Sequence, residues 1–163
     1  MDKKNKKIGI IGAMESEVEL LKQKLNIDTV VTRTSMDFYC GKLQDVDVVV
    51  VKSGVGKVNA ALCAQLLADT FQVTHIINTG VAGSLNATLD IGDILVSRDA
   101  VHHDVDVTIF GYRPGEVPSL GIREFPADEA MMTAAVETCK EINPDISVRM
   151  GRVASGDQFI SSK

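Results

Sequence analysis

The 163-residue sequence is short of cysteine, short of positive charge and without a long apolar run, and each deficit removes a class of protein. Its three cysteines, Cys40, Cys63 and Cys139, are odd in number and widely spaced. They read as reduced thiols of a cytoplasmic protein, not as a disulfide framework or a metal knot. With 17 Lys and Arg against 22 Asp and Glu the net charge is -5, so the molecule has no attraction for nucleic acid or an anionic membrane, and a small neutral substrate suits it better. No stretch approaches the length of a membrane span. The one basic run, Lys3, Lys4, Lys6 and Lys7, precedes an apolar segment that is short, broken by two glycines and ended by Glu15, Glu17 and Glu19. That is no secretory core, and residues 1–7 are expected to form a solvated tail. Internal repeats and low-complexity linkers are also missing, so the length predicts one domain over 1–163.

What is present is an alternation of strand-like and helix-like segments. Residues 8–13 form an apolar run before a glycine turn, after which Val18, Leu20, Leu21 and Leu25 recur at helical spacing. Strands are expected at 29–34, 37–43 and 47–52, the last with four consecutive valines that suit a strand covered on both faces. Residues 58–71 read as a helix so rich in Ala and Leu that it should be buried against the sheet or a partner subunit. Strands at 73–78 and 91–101, a long loop at 104–124, a helix at 127–142 and a strand at 147–154 complete the pattern. The expected fold is α/β, a three-layer sandwich with a twisted mixed, mostly parallel sheet. Ligands in such sheets sit beyond the carboxyl ends of the strands, and four polar or glycine-rich stretches fall there: 12–17, 53–57, 78–83 and 155–160.

Gly9-Ile-Ile-Gly-Ala-Met-Glu-Ser-Glu-Val18 lacks a Gly-x-Gly-x-x-Gly frame. Ser53-Gly-Val-Gly-Lys57 is no Walker loop, because Val51 stands where glycine is needed and Val58 where a hydroxyl is needed. Either stretch alone could be a tight strand-to-helix turn, with Glu15 and Glu17 favoured there by the helix dipole. A phosphate site would gain from a cation, yet this turn offers only acids, and a carboxylate here could instead orient and deprotonate water. His102-His103-Asp104-Val105-Asp106 looks like a metal cluster, but adjacent histidines on an extended segment point to opposite sides. The expectation is hydrogen bonding by these groups, with Val107, Ile109, Phe110 and Tyr112 as an apolar wall.

Six stretches in order, IGIIGAMESEVELL, VKSGVGKVNAAL, IINTGVAGSL, IGDILVS, HHDVDVTIFGY and SGDQFI, resemble the 5′-methylthioadenosine/S-adenosylhomocysteine nucleosidases of the purine nucleoside and uridine phosphorylase superfamily. The resemblance implies a twisted, partly barrel-like mixed sheet surrounded by helices, a homodimer, and hydrolysis of an N-glycosidic bond with water as nucleophile. It implies no cofactor and no metal. Glu17 would hold the water, with Met14 by the ribose. Val55 would line the thioalkyl side, Val81, Ala82 and Gly83 would lie under sugar and base, Phe159 would stack on adenine, and the Ile160 backbone would read its edge. Val107, Phe110 and Pro118 match residues that close the alkylthio pocket of the neighbouring subunit.

Two departures accompany the resemblance. Val81 stands where many members have a serine, removing one hydrogen bond of about 1 kcal/mol to the water. The sequence also ends at Lys163, before the family's Glu-Met-Glu segment for the ribose hydroxyls and its Ser-Asp segment for protonating the purine. Asp157 is the nearest carboxylate and is not assigned that role. Catalysis by this polypeptide alone is expected to be weak or nil, with self-association through an exposed sheet edge. A phosphate-dependent phosphorylase and a non-catalytic nucleoside-binding fragment are the alternative readings.

Overall fold

The computed structural model describes residues 6–161, so of the expected tail residues 1–5 lie outside the described residues. Lys7 is already in a strand: its N–H donates to the Thr74 hydroxyl at 3.2 Å and its carbonyl accepts from Thr74 N at 2.8 Å. The chain forms two units, one ending at Ala82 and one beginning at Gly83.

In the first unit the elements run β1 (Lys7–Gly12), α1 (Glu15–Lys24), β2 (Asn26–Arg33), β3 (Met36–Leu43), β4 (Val46–Lys52), α2 (Lys57–Asp69) and β5 (His75–Asn78). They build one sheet in the order β2-β3-β4-β1-β5. β1 pairs in parallel with β4 and β5, whereas β2–β3 and β3–β4 are antiparallel. The antiparallel share exceeds what strand–helix alternation suggests, because only two residues separate β2 from β3 and a parallel return needs a crossover of a dozen or more. Thr34 and Ser35 take that turn with φ of 48° and 65°, matching the right-handed twist of the strands.

Side chains alternate across this sheet and each face meets one helix. Ile11, Phe38, Val49 and Val51 pack with Cys63 and Leu67 of α2 and with Phe71, whose ring stacks on Phe38 at 4.5 Å. Ile10, Val48 and Val50 pack with Val18 of α1 and with Leu25. Both faces are therefore covered, and the four valines are buried as their run suggests, each contributing roughly 1.5–3 kcal/mol. The helix α2 is less buried than its composition suggests: Cys63 and Leu67 are enclosed, but Val58 and Leu62 face outward because only one side touches the sheet.

The second unit contains β6 (Ile94–His102), a 3₁₀ turn (Thr108–Phe110), β7 (Phe125–Pro126), α3 (Glu129–Ile142) and β8 (Val148–Ser155). Its sheet has the order β7-β6-β8, with β6 and β8 parallel. Neither sheet closes into a barrel. Asp128 caps α3 by accepting from Met131 N at 2.8 Å, which starts the helix two residues later than the apolar pattern alone predicts. Arg152 of β8 grips Asp99 of β6 through two bonds of 2.6 and 2.8 Å. That guanidinium holds the Asp99 carboxyl below the usual carboxylate range.

Candidate functional site

The parallel strands β4, β1 and β5 bring their carboxyl ends to one edge of the first unit. Ser53 N donates to the Gly12 carbonyl at 2.9 Å and Thr79 N to the Ile11 carbonyl at 2.9 Å, so the peptides leaving all three strands stay in register. Ser53 is buried, and its hydroxyl is 3.4 Å from the Gly12 carbonyl and 2.9 Å from that of Gly54. Three of the four stretches singled out by composition therefore meet here, which is where a ligand of such a sheet is expected.

At this edge the chain turns from β1 into α1. A Cβ on Gly12 would lie 2.6 Å from Val18 Cγ1 and 3.0 Å from Glu17 Cβ, so glycine is what lets the first helical turn lie so close. Met14 ends in an extended conformation (φ -121°, ψ 158°), and Glu17 folds back over it from the first turn. Glu17 Oε2 accepts from Ala13 N at 2.7 Å and from Met14 N at 2.9 Å, and Oε1 accepts from Val81 N at 3.0 Å. A carboxylate offers about four acceptor positions. Three peptide donors take one each, and the position left on Oε1 can accept an O–H from a water. Oε2, with two donors, is thus the more fully bonded oxygen, and Oε1 is the one with a position open.

Glu15 has a different role. It points away to Lys22 at 2.7 Å and Lys52 at 3.5 Å, and the Lys22 ammonium above all holds its carboxyl below the ordinary value. Lys22 also lies 4.5 Å from the centre of the Tyr39 ring. Of the two acids in this turn, Glu17 accepts from the backbone at the strand ends, whereas Glu15 pairs with lysine side chains.

In the second unit the carboxyl ends of β6 and β8 bring the fourth stretch, 155–160, against residues 103–104. His103 N donates to the Ser155 carbonyl at 3.0 Å, and Asp157 N donates to Asp104 Oδ2 at 2.8 Å. The His103 ring lies against Gly156, where a Cβ would come within 2.5 Å of Nε2. Asp104 and Asp106 accept hydrogen bonds as expected, Asp106 from the Thr108 hydroxyl at 2.7 Å, whereas His102 departs from that expectation, its buried Nδ1 having no hydrogen-bond partner among the described residues. Among the described residues no three His, Cys, Asp or Glu side chains converge to hold a metal ion. Val107 and Phe110 lie at the 3₁₀ turn of the long loop, which Arg123 ties down by donating to the Pro114 carbonyl at 2.7 Å.

Comparison with known proteins gives this arrangement a family. Residues 7–163 match the Phosphorylase superfamily. The chain belongs to that superfamily. It is 44% identical over 155 residues to a 5′-methylthioadenosine/S-adenosylhomocysteine nucleosidase of Geobacillus sp. (strain WCH70), covering 95% of this chain and 66% of the relative. A nucleosidase of the same name from Bacillus pumilus (strain SAFR-032) is 46% identical over 155 residues, with the same coverage of 95% and 66%. Among solved structures, the nucleosidase of Colwellia psychrerythraea 34H in complex with adenine superposes with a TM-score of 0.93 at 40% identity, covering 98% of this chain and 66% of that one. The Neisseria meningitidis nucleosidase in complex with methylthio-immucillin-A gives 0.92 at 37% identity, covering 97% and 68%. The chain spans about two-thirds of the length of these superfamily members, 66% in the first.

Against this superfamily fold the expected site residues fall into two groups. Met14, Glu17 and Val81 are brought together in the first unit, with Val55 in the turn just after Ser53 and Ala82 next to Val81. Gly83, Val107, Phe110, Pro118, Phe159 and Ile160 belong to the second unit, Phe159 and Ile160 directly after β8. Sequence reasoning missed Ser53, which joins two strand ends, and Gly80, over which the Glu17 carboxylate lies. The signal for Gly80 was a glycine directly after a strand end; nothing in the sequence marked Ser53 as buried.

Proposed function

We propose that this protein hydrolyses the N-glycosidic bond of 5′-methylthioadenosine and S-adenosylhomocysteine, releasing adenine and the thioribose. The observation that carries the reading is the Glu17 carboxylate, fixed at the strand ends by three peptide donors with one acceptor position left for water. The names of the relatives supply the substrate class.

Cleavage of a ribosyl–purine bond builds oxocarbenium character on the sugar and negative charge on the base. Glu17 Oε1 takes a proton from the water as its oxygen attacks the anomeric carbon, while the purine leaves with the electrons of the broken bond and takes up a proton from solvent water. A positioned base of this kind contributes about 10²- to 10⁴-fold. Residues 12–17 include no Arg or Lys to hold a phosphate, and the two ammonium groups beside the turn, Lys22 and Lys52, are directed at Glu15.

In this reading Met14 lies by the ribose, Val55 lines the thioalkyl side, and Val81, Ala82 and Gly83 underlie sugar and base. Phe159 stacks on adenine, the Ile160 backbone reads its edge, and Val107, Phe110 and Pro118 close the alkylthio pocket of a second subunit. The apolar members of this set are open to solvent, with Val55 72%, Val81 81%, Phe110 76% and Phe159 93% exposed, which fits surfaces that a ligand and a partner copy cover. The outward Val58 and Leu62 of α2 fit a homodimer in the same way. The three free cysteines suit a reducing cytoplasm, and no described helix is long and apolar enough to cross a membrane.

The test is the reaction in ¹⁸O-labelled water with phosphate present. Label in the free thioribose supports hydrolysis. An unlabelled sugar 1-phosphate overturns it.

A further inference from the structure

Gly80 lies between the end of β5 and Val81, the residue whose N–H holds Glu17 Oε1. Its backbone lies outside the left-handed region, so nothing in its φ calls for glycine. Space does. A Cβ at this position would be 2.5 Å from Glu17 Oε1, 2.8 Å from Cδ and 3.2 Å from Oε2, distances that real Cβ atoms do not keep without something moving. The three nearest atoms in the way all belong to one carboxylate, at the free end of a flexible side chain. At Gly12, by contrast, the nearest atom is Cγ1 of Val18, which is wholly buried in the core.

We infer that Gly80 is a positioning residue for the base: its missing side chain is the space in which the Glu17 carboxylate sits, within reach of the Val81 N–H. This deepens the hydrolase reading and rests on it for its catalytic consequence, but the placement of the carboxylate stands by itself. A methyl group at residue 80 leaves the backbone and the core where they are and pushes the carboxylate off Val81 N–H. Oε1 then no longer sits where its remaining acceptor position can receive a proton from the water. The change acts on the base through sterics and leaves its carboxyl group in place.

The experiment compares wild type, Glu17→Gln and Gly80→Ala by amide hydrogen exchange read from ¹H–¹⁵N spectra and by thermal melting. In wild type the Val81 N–H is protected by its bond to Glu17 Oε1, and Glu17→Gln removes that protection. Gly80→Ala is expected to remove it too, with a melting temperature within about 2 °C of wild type. In the same preparations, methylthioadenosine turnover by Gly80→Ala should fall more than about tenfold in kcat with KM within about threefold.

A Val81 amide that stays protected in Gly80→Ala overturns the inference, as does a Val81 amide whose exchange Glu17→Gln leaves unchanged. So does a melting temperature that drops as far as that of Gly12→Ala, since the space would then serve the fold. If the product is a sugar 1-phosphate and not free thioribose, the hydrolase reading fails while the amide response still decides whether Gly80 places the carboxylate.

Discussion

Replacing Glu17 by Gln keeps the shape of the side chain and removes its charge, and the structure sets the size of each consequence. The Gln carbonyl oxygen can take the place of Oε2 and keep the bonds from Ala13 N and Met14 N. Its NH₂ then faces Val81 N–H, so a donor meets a donor where a 3.0 Å bond stood. The site is open enough for water to satisfy that N–H, so the loss stays near the ordinary hydrogen-bond value of about 1 kcal/mol. Loss of an acid from the first turn of α1 adds about 0.3–1 kcal/mol. Together they lower the melting temperature by only a few degrees, at roughly 2–4 °C per kcal/mol for a chain of this size. Catalysis suffers far more, because an amide cannot accept the proton of the water: kcat falls at least about a hundredfold while KM changes little. The assay is adenine release over a range of methylthioadenosine concentrations, with adenine binding measured by calorimetry on both proteins. Turnover within about threefold of wild type, or a loss confined to KM, would refute the role given to Glu17.

Gly12→Ala forces a methyl into Val18 Cγ1 in the packed core and is expected to cost about 1–3 kcal/mol, read as a shift in denaturation midpoint that Gly80→Ala does not share. Asp99→Asn breaks the two-pronged contact with Arg152. Because the folded Asp99 carboxyl titrates below its ordinary value of 3.8, its stabilisation is fully present above that value and is lost as pH falls through the folded one. The wild-type advantage in melting temperature over Asp99→Asn should therefore be constant from neutral pH down to about pH 4 and vanish below it; an advantage that grows on acidification would contradict the assignment. Burial pushes the Cys63 thiol up to about 11, so Cys63 should resist iodoacetamide in the native protein and react at once in urea, unlike a thiol that works in a site.

Local regularities reached the sequence most clearly. Four valines in a row demand apolar cover on both faces, and β4 received α1 on one side and α2 on the other. Asn143-Pro144 ended α3 where it was expected to end, since the residue before proline is pushed out of the helical region. The carboxyl-end rule anticipated that the stretches 12–17, 53–57 and 78–83 meet at one sheet edge, whereas it was the family resemblance, not the first-turn position that Glu17 shares with Glu15, that singled out Glu17. What was not legible depended on long-range geometry. Pairing of Asp99 with Arg152 joins residues 53 apart in the chain. Gly80 and Glu17 are separated by most of the first unit, so their fit appears only once β5 lies beside β1. The tightness of the two hairpins gave β2 and β3 an antiparallel arrangement that composition does not encode, and Lys7 is in a strand because Thr74 happens to meet it.

The most direct measurement is adenine release from methylthioadenosine by the protein in phosphate-free buffer, repeated with phosphate added and with Glu17→Gln. Release, slow as it is expected to be from this polypeptide alone, should proceed at the same rate in both buffers and be lost in the variant. Release that requires phosphate, or that survives Glu17→Gln, would contradict the hydrolase reading.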